Sequence, residues 1–429
     1  METQKQLNTQ EPPKQKAEPI LFQERVGSID AIRGFALLGI LIVNMIAFSG
    51  PPGIYFSLVG TNDTWTNFWD IAASNFTLFF VQGKFYTIFA FLFGLGFAIF
   101  YERAKEKTGK PIRFFYKRLL ILLLIGLVHA LFIWSGDVLV FYAVLGFLLP
   151  LFFNRKPKTL LKWTGAIFFS IVILSLLGIM ALSTDKNMLA DAMNEHQVFL
   201  ADIKMRIANS VQAYGSGTLA EIQGQRVSET LFMFQHGFAT AIFVIFPLFL
   251  IGLYAGKKGF FQSIAENSST IKKMQIWGIA VGLILGTIKF MVVDLAITEP
   301  YSFYAIIHLV SSFFGDLGLA IFFMTTIIRL FQNKKWMQRF VPLALTGRMA
   351  LSNYLFQSIV CTFIFYNFGL GLFGQVGPAI SLALAVVIFV VQVYISKLWL
   401  QRYQYGPVEW LWKSLTYGKI FRMKLSNDA

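Results

Sequence analysis

Cysteine is nearly absent from this chain. The single one, Cys361, lies in an apolar stretch, so no intrachain disulfide can form, and its role is read as structural. Charge is scarce as well: 14% of the 429 residues are Asp, Glu, Lys or Arg, against 56% hydrophobic residues. That is far more apolar surface than a soluble domain can hide in one core. The usual marks of soluble enzymes are missing too: there is no P-loop, no HExxH, no paired-cysteine metal site and no GxSxG. No metal and no bound cofactor are therefore expected. GLG at 94–96 and GLGLFG at 369–374 are read as glycines that let helices pack closely, not as phosphate loops. Residues 1–27 lack the basic start, apolar middle and small-residue cleavage site of a signal peptide, and their polar, proline-bearing composition reads as a mostly disordered cytoplasmic tail. The sequence also lacks a convincing internal repeat, which argues against the inverted-repeat transporter folds.

What is present is a series of apolar stretches of about 20 residues, running from one end to the other. A backbone in hydrocarbon must satisfy its own hydrogen bonds, so these are helices, and the fold class is all-α: a polytopic membrane bundle with about ten spans. Hydropathy, caps and charges place the spans near 31–49, 84–102, 113–134, 138–153, 160–183, 230–255, 275–297, 303–330, 348–372 and 378–400. Together they form a bundle over 28–400. Segment 67–82 is apolar but short and carries Asp70 and Asn75, so it lies at the interface, re-enters or spans.

The formal net charge of +15 does not mean nucleic acid, because the bases fall in short runs between apolar stretches. Arg103, Lys105, Lys107, Lys110, Arg113, Lys117 and Arg118 crowd one connector, and further clusters stand at 155–158, 257–273 and 329–339. Turns 135–137, 298–302 and 373–377 hold no Lys or Arg. By the positive-inside rule the first set is cytoplasmic and the second external, with the amino terminus inside if 67–82 does not cross fully. The acidic connector 184–229 is expected outside as amphipathic helices. The tail 401–429 mixes Trp410, Trp412 and Tyr417 with lysines and reads as a cytoplasmic interfacial segment, in which Glu409 needs a partner.

Polar residues inside spans cost several kcal/mol unless paired or hydrated, so each is a functional candidate beside its plainer reading as a tie between helices. Asp30 and Arg33 are neighbours on one face of the first span and are expected to be buried as a pair; Asn44 continues that stripe. His129 stands near the outer end of its span, just before Asp137, and a histidine beside a turn-borne carboxylate is the usual setting for a general base. His308, Ser312 and Asp316 form a second stripe at steps of four. His129, Asp137 and His308, with His236 and Asp294, share one depth and are expected to converge on a cavity in the external half. Arg348 and Asn353 open the span at 348, where Asn353 and Gln357 lie on one face.

The blocks SIDAIRGFALLGILIVNM, GKFYTIFAFLFGLGFAIF, RLLILLLIGLVHALFIWSGDVLVFYAVLG, GRMALSNYLFQS and GPVEWLWKSLTYG resemble, in order and over nearly the whole chain, the signature blocks of the YeiB-like bacterial membrane proteins. The first block, with Asp30, Arg33, Gly34 and Asn44, is more distantly similar to the opening span of the heparan-alpha-glucosaminide N-acetyltransferase group and of the acyltransferase-three proteins. That likeness implies transfer of an acyl group from a cytoplasmic acyl-CoA, as co-substrate, to an acceptor at the external face of the bacterial plasma membrane. The histidine that those enzymes carry soon after the first span has no counterpart, since no histidine precedes His129.

On that expectation His129, oriented by Asp137, or else His308, is the base, and Arg33, Lys84 and the 102–118 connector meet the acidic groups of the donor. The substrate-binding set is then Asp30, Arg33, Asn44, Lys84, Asp316, Arg348 and Asn353. A transporter would use the same buried His, Asp and Arg as a substrate and proton path. A helper subunit would use them only to pack the bundle.

Overall fold

The computed structural model describes residues 27–50, 65–261, 264 and 266–425. All of the expected tail but Gly27, and most of the 50–66 loop, lie outside the described residues. The chain is helical as its apolar runs require, and local signals set many of the boundaries. Proline opens α4 (Pro111–Phe132), α6 (Pro157–Thr184), α13 (Pro378–Leu400) and α14 (Pro407–Tyr417), where its missing N–H costs nothing. Asp185 caps α7 (Lys186–Ser216), a Thr218/Glu221 capping box starts α8 (Leu219–Lys257), Ser302 caps α10 (Phe303–Gln332), and Asn333 caps α11 (Lys334–Arg348).

Eight helices among the described residues are long and apolar enough to cross a membrane. Two shorter ones run between the same two ends: α5 (Leu139–Gly146, prolonged to Phe153) and α12 (Ala350–Phe365). The ends are chemically distinct. At the basic end, Lys257 Nζ donates to the Arg155 carbonyl at 2.8 Å, and the Trp412 indole donates to the Arg118 carbonyl at 2.9 Å. At the far end, Gly374 N–H donates to the Ser49 carbonyl at 2.7 Å, and the amphipathic α7 docks through Asn367 N–H on the Tyr214 carbonyl at 2.8 Å. The last quarter of the 184–229 connector is not separate: residues from Leu219 onward are the first turns of span helix α8.

Segment 67–82 turns out to be the outer half of a broken span. α2 (Phe68–Phe76) runs on through a π-helical turn to Val81, the chain breaks at Gln82–Gly83, and α3 (Lys84–Thr108) continues to the basic end. Asp70 fixes the outer end, accepting the Ala379 N–H of α13 at 2.8 Å. Gly83 has φ of 95°, which a side chain rarely adopts. An added Cβ there would also stand 1.8 Å from the Asp316 carboxylate. The freed carbonyls find donors: Gln82 accepts from Lys84 Nζ at 3.0 Å and Gly83 from the Thr87 hydroxyl at 2.7 Å. Phe68–Glu106 is thus long and apolar enough for one crossing, which is compatible with the parity expected from the loops.

α1 (Gly27–Ser49) is the hub, packed on α3, α10, α11, α12 and α13. Glycines allow the closest approaches. A Cβ on Gly34 would lie 2.0 Å from the Leu343 carbonyl oxygen, and one on Gly347 would lie 1.9 Å from that of Asp30. Gly347→Ala should therefore force α1 and α11 apart, at about 1–3 kcal/mol. A clear fall in the detergent melting temperature is expected. Gly165→Ala, where an added carbon meets nothing within 4 Å, should cause no fall.

Candidate functional site

A cavity of about 680 Å³ runs inside the bundle from the basic end toward the far end. Its basic end is ringed by Arg33, Arg103, Arg118, Arg348 and Lys413, with Asp30 and Glu409 among them. Aromatic rings back these cations: the Arg118 guanidinium lies 3.8 Å from the Trp412 ring centre, and Lys413 Nζ lies 3.6 Å from that of Tyr405. The middle is apolar, walled by Phe89, Leu92, Phe93, Leu119 and Leu122, with Tyr86 and Tyr142. Asn44, Gly136, Val138 and Tyr354 close the far end. The arrangement suits a ligand with an anionic head and an apolar tail.

Behind that far wall lies the pair expected from the sequence. His129 Nδ1 is 2.7 Å from Asp137 Oδ2, and both residues are buried. α4 supplies the histidine in its last turn, and the Ser135–Gly136–Asp137 turn brings the chain back so that the carboxylate meets the ring. The other carboxylate oxygen accepts the Val140 N–H at 2.8 Å, which fixes Asp137 against the start of α5. His129 Nε2 reaches the Ser358 hydroxyl on α12 at 2.8 Å. Ser358 was not among the residues singled out by sequence. Deeper in the far end, Glu229, which the sequence placed in the connector, is buried and accepts from Ser135 at 2.6 Å and Tyr214 at 2.7 Å. It pins the same turn from the other side.

His308 does not join this group. It lies 3.4 Å from the Ser312 hydroxyl on its own helix and is not among the cavity-lining residues. None of His129, Asp137 and His308 lines the cavity, so the expected convergence of the three around one cavity is not seen. His236 bonds the Phe232 carbonyl of its own helix, and Asp294 is exposed. The stripe on α10 leads instead to a second buried centre at the break of the α2–α3 span. There Asp316 binds Lys84 Nζ at 2.8 Å through Oδ1, and Lys289 Nζ of α9 (Ser268–Thr298) at 3.0 Å through Oδ2. Lys84 is 0% exposed and stands apart from the cavity, so the expectation that it meets the donor beside Arg33 gives way to an ion pair with Asp316. Lys289 is a lysine inside an apolar run, a plain signal that the sequence reading passed over.

Of the remaining candidates, Asp30 and Arg33 pair at 2.8 Å, but the Arg33 side chain keeps 30% of its surface open, so it is not buried as expected. Both line the cavity, as do Asn44 and Arg348. Asn353 does not: its amide donates to the Thr346 carbonyl and to Ser396 of α13, each at 3.0 Å. Gln357 meets Gln392 at 2.9 Å, so these amides knit α12 to α13. Glu409 finds its partners at the start of α12, accepting the Leu351 and Ser352 N–H groups at 2.7 and 3.0 Å.

Asp316→Asn would leave two buried ammonium groups without a carboxylate, whereas Lys289→Met leaves a one-to-one pair. The first should cost about 3–5 kcal/mol or abolish folded protein, and the second much less. Thermal melts of the two variants in detergent measure the difference. Glu409 offers a pH dependence. Burial pushes its carboxyl above the ordinary 4.5, against the Ser352 and Leu351 hydrogen bonds. A carboxyl raised on folding stabilises the folded chain at low pH, and that contribution is lost as pH rises. The melting temperature should fall as the pH is taken above 4.5, and Glu409→Gln should flatten that fall.

The family model DUF418, described as a protein of unknown function, matches residues 255–419. The protein YxaH of Bacillus subtilis is 34% identical over 415 residues, covering 93% of this chain and 96% of the relative. YeiB of Escherichia coli is 27% identical over 404 residues, with 92% and 96% covered. A 39.9 kDa protein from the amylase 3′ region of Bacillus acidopullulyticus is 27% identical over 419 residues, with 96% and 99% covered. The similarity thus spans nearly the whole chain, and this chain belongs to the YeiB-like family of bacterial membrane proteins.

Proposed function

We propose that this protein is a membrane-embedded acyltransferase of the bacterial plasma membrane. It takes an acyl group from an acyl-CoA at the cytoplasmic side and delivers it to an acceptor at the external side. The observation that carries this reading is a single cavity with a ring of five cations at one end and the His129–Asp137 pair behind its other end. The positive-inside rule puts the cation ring at the cytoplasm, where a polyanionic thioester donor is available. Arg33, Arg103, Arg118, Arg348 and Lys413 bind its phosphates, and the apolar middle takes the acyl chain. An acetyl or a longer chain both fit that description. Asp137 holds the proton of His129 on Nδ1, so Nε2 is the basic nitrogen that removes a proton as the thioester carbonyl is attacked.

A transporter is the second reading, favoured by a different observation. The broken span with its buried Lys84–Asp316–Lys289 centre resembles the discontinuous helices that carry substrate and coupling ions in transporters.

The purified chain in nanodiscs, supplied with labelled acetyl-CoA and palmitoyl-CoA, decides between them. Release of free thiol is expected, with a His129→Ala rate lower by on the order of 100-fold or more in variant protein that still melts cooperatively. No thiol release from either donor by the wild-type chain, together with solute uptake into vesicles, would give the transporter the better claim.

A further inference from the structure

We infer that Ser358 takes the acyl group first, as a covalent ester, before the acceptor receives it. This rests on the acyl-transfer reading and names the nucleophile. The atom of His129 that would activate an acceptor is already engaged: Nε2 lies 2.8 Å from Ser358 Oγ, while Nδ1 is held by Asp137 at 2.7 Å. A carboxylate can only accept, so the ring proton sits on Nδ1, Nε2 carries the lone pair, and the Ser358 hydroxyl donates into it. The proton that His129 is placed to remove is that of Ser358.

The local geometry of α12 favours this over a mere tie. A serine or threonine in a membrane helix usually turns its hydroxyl back onto the carbonyl four residues earlier. Thr362 does so onto Ser358 at 2.8 Å, and Thr325 onto Ile321 at 2.7 Å. Ser358 lies 3.4 Å from the Tyr354 carbonyl, so the histidine holds its short bond. A second observation points to a ligand at the same place. Tyr354 lies one turn earlier on the same face, lines the cavity and is 6% exposed. Its hydroxyl is near the Val138 N–H but makes no hydrogen bond of ordinary geometry. That hydroxyl is a spare donor for the carbonyl oxygen of a thioester lying in the cavity. Its ring lies 5.2 Å from that of His129, centre to centre, so the residue that lines the cavity also touches the base.

In the first half-reaction Ser358 Oγ attacks the thioester carbonyl and its proton passes to His129 Nε2. The carbon–sulfur bond breaks, and the leaving thiolate takes that proton from Nε2. In the second half, an acceptor hydroxyl or amine from the far side loses its proton to Nε2 and attacks the seryl ester, and Ser358 Oγ regains a proton as it leaves. Donor and acceptor approach from opposite ends, so the ester spares them from meeting in one cavity.

The test uses the full chain in nanodiscs with two probes. A fluorophosphonate reports activated serine without any acyl donor, and labelled acetyl-CoA and palmitoyl-CoA report transfer. The expected results are fluorophosphonate and acyl labels on the Ser358 peptide, both lost in Ser358→Ala and His129→Ala variants that still melt cooperatively. Thiol release should fall by on the order of 100-fold or more in Ser358→Ala. Ser358→Cys should regain a label, now as a thioester cleaved by neutral hydroxylamine. Undiminished transfer by Ser358→Ala would overturn the nucleophile while leaving acyl transfer in place. Fluorophosphonate labelling without any thiol release would support the activated serine and remove the acyl-CoA donor. Neither labelling nor thiol release would overturn both.

Discussion

One carboxylate holds the middle of this bundle. Asp316 sits among apolar helices where an isolated charge would be prohibitive, and it is tolerated because Lys84 and Lys289 reach it from α3 and α9. The same group presses against Gly83, so the break in the α2–α3 span and the ion cluster are one feature. The break lets Lys84 begin a helix deep inside the bundle and turn its ammonium onto both Gln82 and Asp316. α3 then descends beside α1 and supplies Phe89, Leu92, Phe93 and Arg103 to the cavity wall. The cavity thus inherits one of its walls from a cluster that it does not contain.

The polar residues of the interior divide into two groups with different neighbours. Around Asp316 the partners are charged. Around His129 they are a carboxylate, a serine and a turn pinned by Glu229, and the surroundings include the aromatic rings of Tyr354 and Trp134. The second group adjoins a large cavity with cations at its other end, and that adjacency suits chemistry on a bound ligand better than packing alone.

Much of this is legible in the sequence, and what is not has separate physical causes. Apolar length marked the spans, and the eight-residue interval from His129 to Asp137 is short enough for a turn to close. Ser358 lies 229 positions from His129, and no local pattern marks it. The expected meeting of His129 and His308 inferred contact from common depth, but depth fixes a height in the bundle and leaves the angle around it open. Segment 67–82 looked ambiguous because its length was judged against a whole span, when Gly83 makes it half of one. Glu229 stands one residue before the expected span at 230–255 and is seen as a buried charge only once α8 has its full length, whereas Lys289 lies within the expected span at 275–297.

The contact of Asp70 with α13 has a consequence for how the chain is made. Its carboxylate accepts from Ala379, 309 positions later, so the partner does not yet exist when α2 leaves the ribosome. Until α13 is made, the Asp70 carboxylate has Asn67, one turn before it, as its partner, and the second half of its hydrogen bonding waits for the last span. The seating of α2 against the bundle is thus tied to the opposite end of the chain, so that the second and last spans of the described residues are locked together by one early side chain.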